Sequence, residues 1–203
     1  MGDFNEIAWD AYLARGEYVI CFLLARLQAI NVRMSEKCGR RVIVAMESRI
    51  KSMESIQGKL KRKSLEPTME HIEGHIHDVF GVRGICLYQD DLYGIVEMLY
   101  GFSDIKIRKI KDYIKSPKKS GYRSIHIQME IPVYMRDAVQ WIKVELQLRT
   151  VAMNFWAELD HQLRYKKDSE EAAMVAKTLR NYAGVVADFD GKMLELRKQI
   201  VTL

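Results

Sequence analysis

The chain has 203 residues, of which 48% are hydrophobic and 29% are charged, and its formal net charge is +5. This length allows one domain with a sizeable core, and the composition excludes a disordered or fibrous chain. The excess of basic residues favours an anionic partner such as a nucleotide, a nucleic acid or a membrane surface.

The cysteines and the apolar segments indicate a protein of the cytoplasm. Cys21, Cys38 and Cys86 form no CxxC pair, which argues against a zinc site and against a disulfide framework. The longest apolar run, residues 18–25, is too short to span a bilayer and has no basic segment before it. We therefore expect neither a membrane anchor nor a signal peptide.

The N-terminal part of the chain predicts a long helix, a strand and a second helix. Residues 5–35 carry apolar side chains at alternating steps of three and four, which is typical of a helix with one buried row. Residues 41–46 predict a strand, and residues 52–63 predict a basic helix that ends before Pro67.

The central part predicts four strands and two helices. Residues 79–88 indicate a buried strand, and residues 90–101 a helix with acidic residues at its start and Gly101 near its end. Residues 105–114 alternate isoleucine with lysine or arginine, as in a strand with one solvated face. Further strands are predicted at 123–131 and 139–149, and a helix at 150–165.

A last helix is predicted at 169–201, with an apolar row that extends over more than three heptads. This row could pack on the N-terminal helix, it could form a seam between copies of the chain, or it could do both. Together the elements predict an α+β fold, in which long terminal helices flank a mixed or antiparallel central sheet. The row consists of Val175, Leu179, Tyr182, Val186, Phe189, Met193, Leu196 and Ile200.

Basic residues concentrate in two segments, 49–63 and 106–123. Such a run is often only a solvated face, but the lysines of residues 105–114 share one face of a predicted strand. Gly121 and Tyr122 follow in the next loop, where glycine lets the backbone approach a ligand and a tyrosine ring can stack on a base. These features predict a site for a base that carries a polyphosphate.

The common phosphate-binding motifs are absent from the sequence. Residues 55–60, SIQGKL, contain Gly-Lys but lack both the first glycine of a P-loop and the Ser or Thr that follows its lysine. There is also no GxGxxG segment, so neither a Walker fold nor a Rossmann site is indicated.

Two acidic residues are candidates for holding Mg²⁺ against phosphates, Asp78 and Glu145. Glu145 lies in an apolar-rich strand with Gln147 and Arg149 on the same face. An acid there is costly unless it is paired or bound to a metal, so a salt bridge to Arg149 is the alternative. The His77–Asp78 pair also raises a metal-dependent HD phosphohydrolase, but it leads into a strand where that class needs ligands on separate helices.

Several segments in this order resemble the synthetase domain of RelA/SpoT proteins. They are HDVFGVRGICLY (77–88), KDYIKSPKKSGYRSIH (111–126) and VELQLRTVAMNFWAELDHQLRYK (144–166). Without a hydrolase region before it or regulatory regions after it, the chain is similar to the small alarmone synthetases. We therefore expect one nucleotidyltransferase-like synthetase domain over 1–203, with an N-terminal helical segment (1–40), a catalytic core (41–167) and a C-terminal helix (168–203).

The resemblance implies an enzyme that moves the β,γ-diphosphate of ATP to the ribose 3′-hydroxyl of GDP or GTP, so that AMP leaves and (p)ppGpp forms. Such a transfer depends mostly on positioning and charge neutralisation. The resemblance also implies Mg²⁺ as cofactor and a homo-oligomer, most often a tetramer. Two alternatives remain: a pyrophosphokinase that acts on the 3′ end of tRNA, and a non-catalytic module that binds a nucleotide or RNA.

The resemblance also assigns the site residues. Asp78 would bind Mg²⁺, and Glu145 would assist with that metal and take the proton from the 3′-hydroxyl. The ATP side would consist of Arg49 and Arg83, which hold adenine between them, and of Lys51, Ser55, Lys59 and Arg62 around its phosphates. The GDP or GTP side would consist of Lys111, Lys118, Tyr122, His126, Gln147 and Asn154, with Tyr122 stacked on guanine and Asn154 at its edge.

Other residues near these motifs are expected to support the fold. Thr150 and Trp156 are predicted to cap and pack, and Cys86 to lie in the core. Phe80 and Gly84 differ from the residues usual at their positions in the family, and we expect both near the adenine side.

Overall fold

The computed structural model describes residues 6–136, 138–164 and 170–201. Over these residues, six helices and five strands follow one another. The helices are α1 (Glu6–Cys38), α2 (Met53–Lys61), α3 (Met69–His75), α4 (Gln89–Leu99), α5 (Val151–Arg164) and α6 (Glu170–Val201). The strands are β1 (Ile43–Ile50), β2 (Phe80–Cys86), β3 (Lys106–Asp112), β4 (Ile125–Tyr134) and β5 (Val139–Thr150).

The strands form one mixed sheet in the order β1-β2-β5-β4-β3. Strand β2 pairs with β5 in parallel, and the three other pairs are antiparallel. The predicted α+β fold with a mixed central sheet and long terminal helices is therefore confirmed.

The ten predicted elements are all present, and the largest differences are the end of one strand and the presence of one additional short helix. Strand β1 continues to Ile50, past the predicted end at residue 46, because the polar residues at its end still pair with β2. Helix α3 was not predicted. It has seven residues, too few to show a helical period. Its N-cap residue is Thr68, whose side chain accepts a hydrogen bond from the amide of His71.

One face of the sheet is apolar and packs on α1. Val82, Leu146 and Ile127 are direct neighbours across three strands, and all three are buried. The predicted helical row lies on this face, with Leu23 and Leu27 fully buried. Burial of these side chains supplies the main apolar contribution to stability.

Phe80 and Gly84 lie on this apolar face, so the expectation that they lie near the adenine side is wrong. A Cβ atom at Gly16 of α1 would lie 1.9 Å from the Phe80 ring, so glycine is the residue that lets α1 pack over this phenylalanine. A Cβ atom at Gly84 would lie 3.0 Å from Leu148 Cδ2. Both positions therefore serve the packing of the sheet and its covering helix.

A bulge in β3 places its lysines on the other face. The alternation of apolar and basic residues breaks at Arg108–Lys109, and there the register with β4 shifts between Ile107 and Lys109. Arg108 is the extra residue, and it donates hydrogen bonds to Glu130. As a result Lys109 and Lys111 lie on the same face as Lys106, as the sequence predicted, although strict alternation would place Lys106 on the opposite face.

Helix α6 packs against α5 and α4, and α1 is not among its main contacts. Leu179 and Ala183 of α6 are buried, whereas Tyr182 and Phe189 of the predicted row are 57% and 56% exposed. The interpretation that this row packs along the N-terminal helix is therefore wrong, and a seam between copies of the chain remains a prediction. Among the residues that the structure describes, no helix is long and apolar enough to cross a membrane.

Candidate active site

The second face of the sheet is polar, and its side chains form rows across the strands. Opposite residues in a ladder share a face, so the strand register defines each row. One row runs from β1 to β3 through Glu47, Arg83, Gln147, His126 and Lys111. The next row runs through Arg49, Gly81, Glu145, Gln128 and Lys109.

A cavity of about 730 Å³ lies over this polar face. The structure places ten of the fourteen predicted site residues in its wall, and the other four, Lys51, Ser55, Arg62 and Asn154, lie outside the lining. Most of the predicted site therefore converges on one cavity. The ten are Arg49, Lys59, Asp78, Arg83, Lys111, Lys118, Tyr122, His126, Glu145 and Gln147.

Asp78 immediately precedes β2 and is held by two lysines. Lys51 Nζ lies 3.0 Å from Asp78 Oδ2, and Lys59 Nζ lies 2.8 Å from Asp78 Oδ1. Burial raises the pKa of Asp78, but the hydrogen bonds and charges of the two lysines outweigh burial and lower this pKa to about 2. Asp78 is therefore ionised at neutral pH, and it draws two cations to one point of the cavity.

Helix α2 presents the remaining predicted phosphate ligands. Its N-cap residue Ser52 accepts from the amide of Ser55, and the two hydroxyl oxygens lie 2.9 Å apart. Ser55, Lys59 and Arg62 follow the spacing of one helix face. Lys59 reaches Asp78 in the cavity, whereas Arg62 donates to the carbonyl oxygen of Gly58 at the end of the helix.

Arg49 and Arg83 lie on adjacent strands, one row apart. Arg83 Nη1 donates to Glu47 at 2.9 Å and to Glu158 at 3.0 Å. Gly81 stands opposite Arg49 in the ladder, and a Cβ atom there would lie 3.5 Å from Arg49 Cγ. The two carboxylates fix the Arg83 guanidinium. The sequence analysis missed them, because β1 and α5 meet Arg83 of β2 only through the fold.

Glu145 lies near the middle of β5 and is 7% exposed. Its Oε1 atom accepts a hydrogen bond from Gln147 Nε2 at 2.9 Å and lies 3.3 Å from His126 Nδ1. Burial raises the pKa of Glu145, but the hydrogen bonds from His126 and Gln147 outweigh it and leave this pKa below its ordinary value. The direct Glu145–Arg149 salt bridge considered from the sequence is not formed; Gln147 lies between the two side chains.

The loop before β4 brings Tyr122 into the cavity. Gly121 has a φ of 93°, and a Cβ atom there would lie 2.5 Å from Ala183 Cβ, so this loop packs directly on α6. Lys118 Nζ lies 4.6 Å from the centre of the Tyr122 ring. A base that stacks on this face of Tyr122 therefore requires the Lys118 side chain to move aside.

Arg149 is a cavity residue to which the sequence analysis gave no ligand-binding role. Its Nη1 donates to Asn154 Oδ1 at 3.0 Å, and its Nη2 donates to the Tyr122 hydroxyl at 2.9 Å. The signal in the sequence was its spacing of two and four residues from Gln147 and Glu145 on one strand face. With Oδ1 engaged by Arg149, the Asn154 side chain is left with its NH₂ group as a donor.

The residues expected to support the fold do so. The Thr150 hydroxyl accepts from the amide of Met153 at the start of α5 and donates to the buried Asp190 of α6. Trp156 is buried and donates to the carbonyl oxygen of Leu179, and Cys86 is fully buried. These contacts fix α5 and α6 beside the cavity.

The geometry also argues against the alternative that the chain is a metal-dependent HD phosphohydrolase. In the part of the chain that the structure describes, no group of three or more His, Cys, Asp or Glu side chains could hold a metal ion. The protein offers isolated carboxylates beside many cations, which is an arrangement that suits phosphate groups.

Comparisons with known proteins bear on the resemblance to the RelA/SpoT synthetases. A family model described as "Region found in RelA / SpoT proteins" matches residues 48–170. The chain therefore belongs to the RelA/SpoT family. It is 41% identical over 192 residues to GTP pyrophosphokinase YwaC of Bacillus subtilis, which covers 95% of this chain and 91% of that protein.

Solved structures of a relative extend the likeness to the whole fold. The small alarmone synthetase 1 of Bacillus subtilis bound to its product pppGpp has a TM-score of 0.85 and 30% identity, with 95% of this chain and 98% of that chain covered. The same relative bound to AMPCPP has a TM-score of 0.76 and 26% identity, with 97% and 99% covered.

Proposed function

We propose that this protein transfers the β,γ-diphosphate of ATP to the ribose 3′-hydroxyl of GDP or GTP, giving AMP and (p)ppGpp. The observation that carries the proposal is that one cavity contains both the lysine-bound Asp78 and the buried carboxylate Glu145. A module that only bound anions would gain nothing from two acids among its cations. A relative of nearly the same length is a GTP pyrophosphokinase, and another binds pppGpp as its product.

The donor side is the part of the cavity between β1, β2 and α2. The planar guanidinium groups of Arg49 and Arg83 suit the two faces of adenine. Lys59 of the cavity wall would bind the phosphates of ATP, together with Lys51, Ser55 and Arg62, which lie outside the lining. A relative has been solved bound to AMPCPP, an adenine nucleotide analogue, which supports an adenine nucleotide as one substrate.

The acceptor side is the part of the cavity between β3, β4 and α5. Tyr122 would stack on guanine, and the Asn154 NH₂ group would donate to acceptor atoms on its edge. This orientation of Asn154, which Arg149 imposes, favours the acceptor O6 of guanine over the N6 amino group of adenine. Lys111 and Lys118 would neutralise charge where the phosphates of the two nucleotides meet, and His126 and Gln147 would lie near the acceptor ribose.

The residues present fit Mg²⁺. This ion prefers oxygen ligands and is commonly held by one or two carboxylates together with substrate phosphates and water. Asp78 and Glu145 are carboxylates of the same cavity wall, and the charge of Asp78 acts on Glu145 in the direction that raises its pKa. When bound, the ion would neutralise charge on the transferred diphosphate.

Glu145 is the residue that would accept the proton of the 3′-hydroxyl. Two donors, His126 and Gln147, approach the same oxygen, Oε1, so the carboxylate is fixed in orientation. The other oxygen, Oε2, has no hydrogen-bond partner within the described ranges 6–136, 138–164 and 170–201. It is therefore the oxygen that can face the substrate.

We also propose that the protein acts in the cytoplasm as a homotetramer, with residues 1–203 as one synthetase domain. Tyr182, Phe189 and Ile200 of α6 are each more than half exposed, and they lie on one side of a long helix. An apolar surface of this kind marks a contact with another protein, and a closed homo-oligomer would bury it.

One assay tests the proposed reaction. The protein is incubated with γ-labelled ATP, Mg²⁺ and one of three acceptors: GDP, GTP or bulk tRNA. Label in a guanosine tetra- or pentaphosphate supports the proposal. Label in tRNA would replace it with the tRNA pyrophosphokinase, and no transfer to any acceptor would favour a non-catalytic binding module.

A further inference from the structure

Five side chains of the polar face form a closed ring of hydrogen bonds. Arg149 Nη2 lies 2.9 Å from the Tyr122 hydroxyl, which lies 2.8 Å from His126 Nε2. His126 Nδ1 lies 3.3 Å from Glu145 Oε1. The ring closes through Gln147, which lies 2.9 Å from Glu145 Oε1 and 3.3 Å from Arg149 Nη2.

The chemistry of Arg149 sets the direction of every bond in this ring. A guanidinium only donates, so the Tyr122 oxygen accepts from Arg149 and directs its own proton to His126 Nε2. Nε2 is then the acceptor of the ring, and the proton of neutral His126 is on Nδ1, facing Glu145. Gln147 likewise accepts from Arg149 on its oxygen and donates to Glu145 from its nitrogen.

Arg149 is an unusual residue for this position. It is 6% exposed, and among the described residues it forms no salt bridge with a carboxylate. Its Nε atom is buried without a hydrogen-bond partner there. A buried cation that lacks an anionic partner destabilises the fold, so packing alone does not account for its presence.

We propose that Arg149 is a positioning residue for Glu145, acting through two bridges, Tyr122–His126 and Gln147. It polarises both bridges, so that both donate to the same carboxylate oxygen and leave the other free for the reaction. This inference rests on the proposed function, because it assigns Glu145 the reacting role. It also gives the Tyr122 hydroxyl a task that is separate from stacking of the ring on guanine.

The first test needs no turnover. With ¹⁵N-labelled histidine, the nitrogen shifts of His126, assigned by comparison with His126→Asn, report which ring nitrogen carries the proton at a pH where the ring is neutral. The Nδ1–H tautomer is expected. An Nε2–H tautomer would overturn the direction of the ring, and with it the proposal. Since no reaction is involved, this result stands apart from the labelled-ATP assay of the proposed function.

The second test is kinetic. A misplaced reacting group commonly loses about a hundredfold in rate, so Arg149→Met should lower kcat by about tenfold to a hundredfold. The KM for ATP should stay within about threefold, the KM for GDP should rise because Arg149 also orients Asn154, and Arg149→Lys should restore part of kcat. In a Tyr122→Phe background, which keeps the ring, Arg149→Met should lower kcat by a smaller factor, because one bridge is already broken.

Other outcomes would contradict the proposal. An increase in the KM for GDP at unchanged kcat would mean that Arg149 serves nucleotide binding alone and does not position Glu145. A lower melting temperature with unchanged kcat would mean a role in packing only, and full additivity with Tyr122→Phe would exclude the bridge. Arg108→Met is the matched control, since it removes an arginine of the same sheet that donates to Glu130 and lies outside the cavity lining. It should leave kcat unchanged.

Discussion

Replacement of Glu145 by glutamine separates its role in the reaction from its role in the fold. The amide oxygen of glutamine can still accept the hydrogen bonds that Oε1 accepts from Gln147 and His126. Each bond loses its charge assistance, about 1 kcal/mol, but burial of a neutral amide costs less than burial of a carboxylate. We therefore expect the free energy of unfolding to change by less than about 2 kcal/mol.

The catalytic effect of Glu145→Gln should be far larger. The NH₂ group then occupies the position of Oε2, and it can neither accept a proton nor bind a cation. Loss of a positioned general base lowers the rate by about a hundredfold to ten-thousandfold. The measurement is kcat for AMP formation with saturating ATP and GDP, together with nucleotide affinity by calorimetry, which should change little.

The matched control for this substitution is Glu130→Gln. Glu130 lies on β4, on the same sheet face, but its carboxylate accepts from Arg108 and it lies outside the cavity lining. The same chemical change at this position should leave kcat intact. Near-normal kcat in Glu145→Gln, or an equal loss in both variants, would refute the assignment of Glu145.

Three further predictions follow from the structure. Tyr122→Ala should raise the KM for GDP by about tenfold to a hundredfold and leave that for ATP nearly unchanged, whereas equal increases would show a role in the fold alone. Replacement of Val186 and Phe189 by lysine should give species of smaller mass by light scattering, and a monomeric unmodified protein would exclude the oligomer. The pKa of Asp78 is lowered from its ordinary 3.8 to about 2. Its ion pairs with lysine therefore add about 2 kcal/mol to the free energy of unfolding above pH 4, and this stabilisation is lost as the pH falls through about 2. Asp78→Asn should therefore be less stable than the unmodified protein at pH 7 and nearly equal to it at pH 2, and a deficit independent of pH would contradict the ion pairs.

The sequence predicted the polar face well, because period-two spacing is a local property. Glu145 and Gln147 could be placed on one face from residue numbers alone, and the structure places both in the cavity wall. The lysines of β3 were also placed on one face, but for an incomplete reason: strict alternation fails at Arg108, and a bulge restores it. A bulge depends on the partner strand, which a single strand sequence does not reveal.

The contacts that join distant elements could not be predicted. Glu158 reaches Arg83 only because α5 returns beside β2, and that depends on the parallel pairing of β2 with β5. The family resemblance supplied the residues proposed to bind the nucleotides. It did not supply the neighbours that orient them, because such neighbours follow from strand register and helix packing. Arg149 belongs to this second group, although it lies within the quoted motif.

Helix α6 connects the acceptor side of the cavity to the exposed apolar row. Its inner side holds the acceptor loop, since Ala183 lies against Gly121 and the carbonyl oxygen of Leu179 accepts from Trp156. Its outer side exposes Tyr182 and Phe189. The donor side rests instead on β1, β2 and α2, which are not among the main contacts of α6. Any contact that another copy of the chain made with α6 would therefore reach the loop that carries Tyr122 before it reached the residues of the proposed donor side.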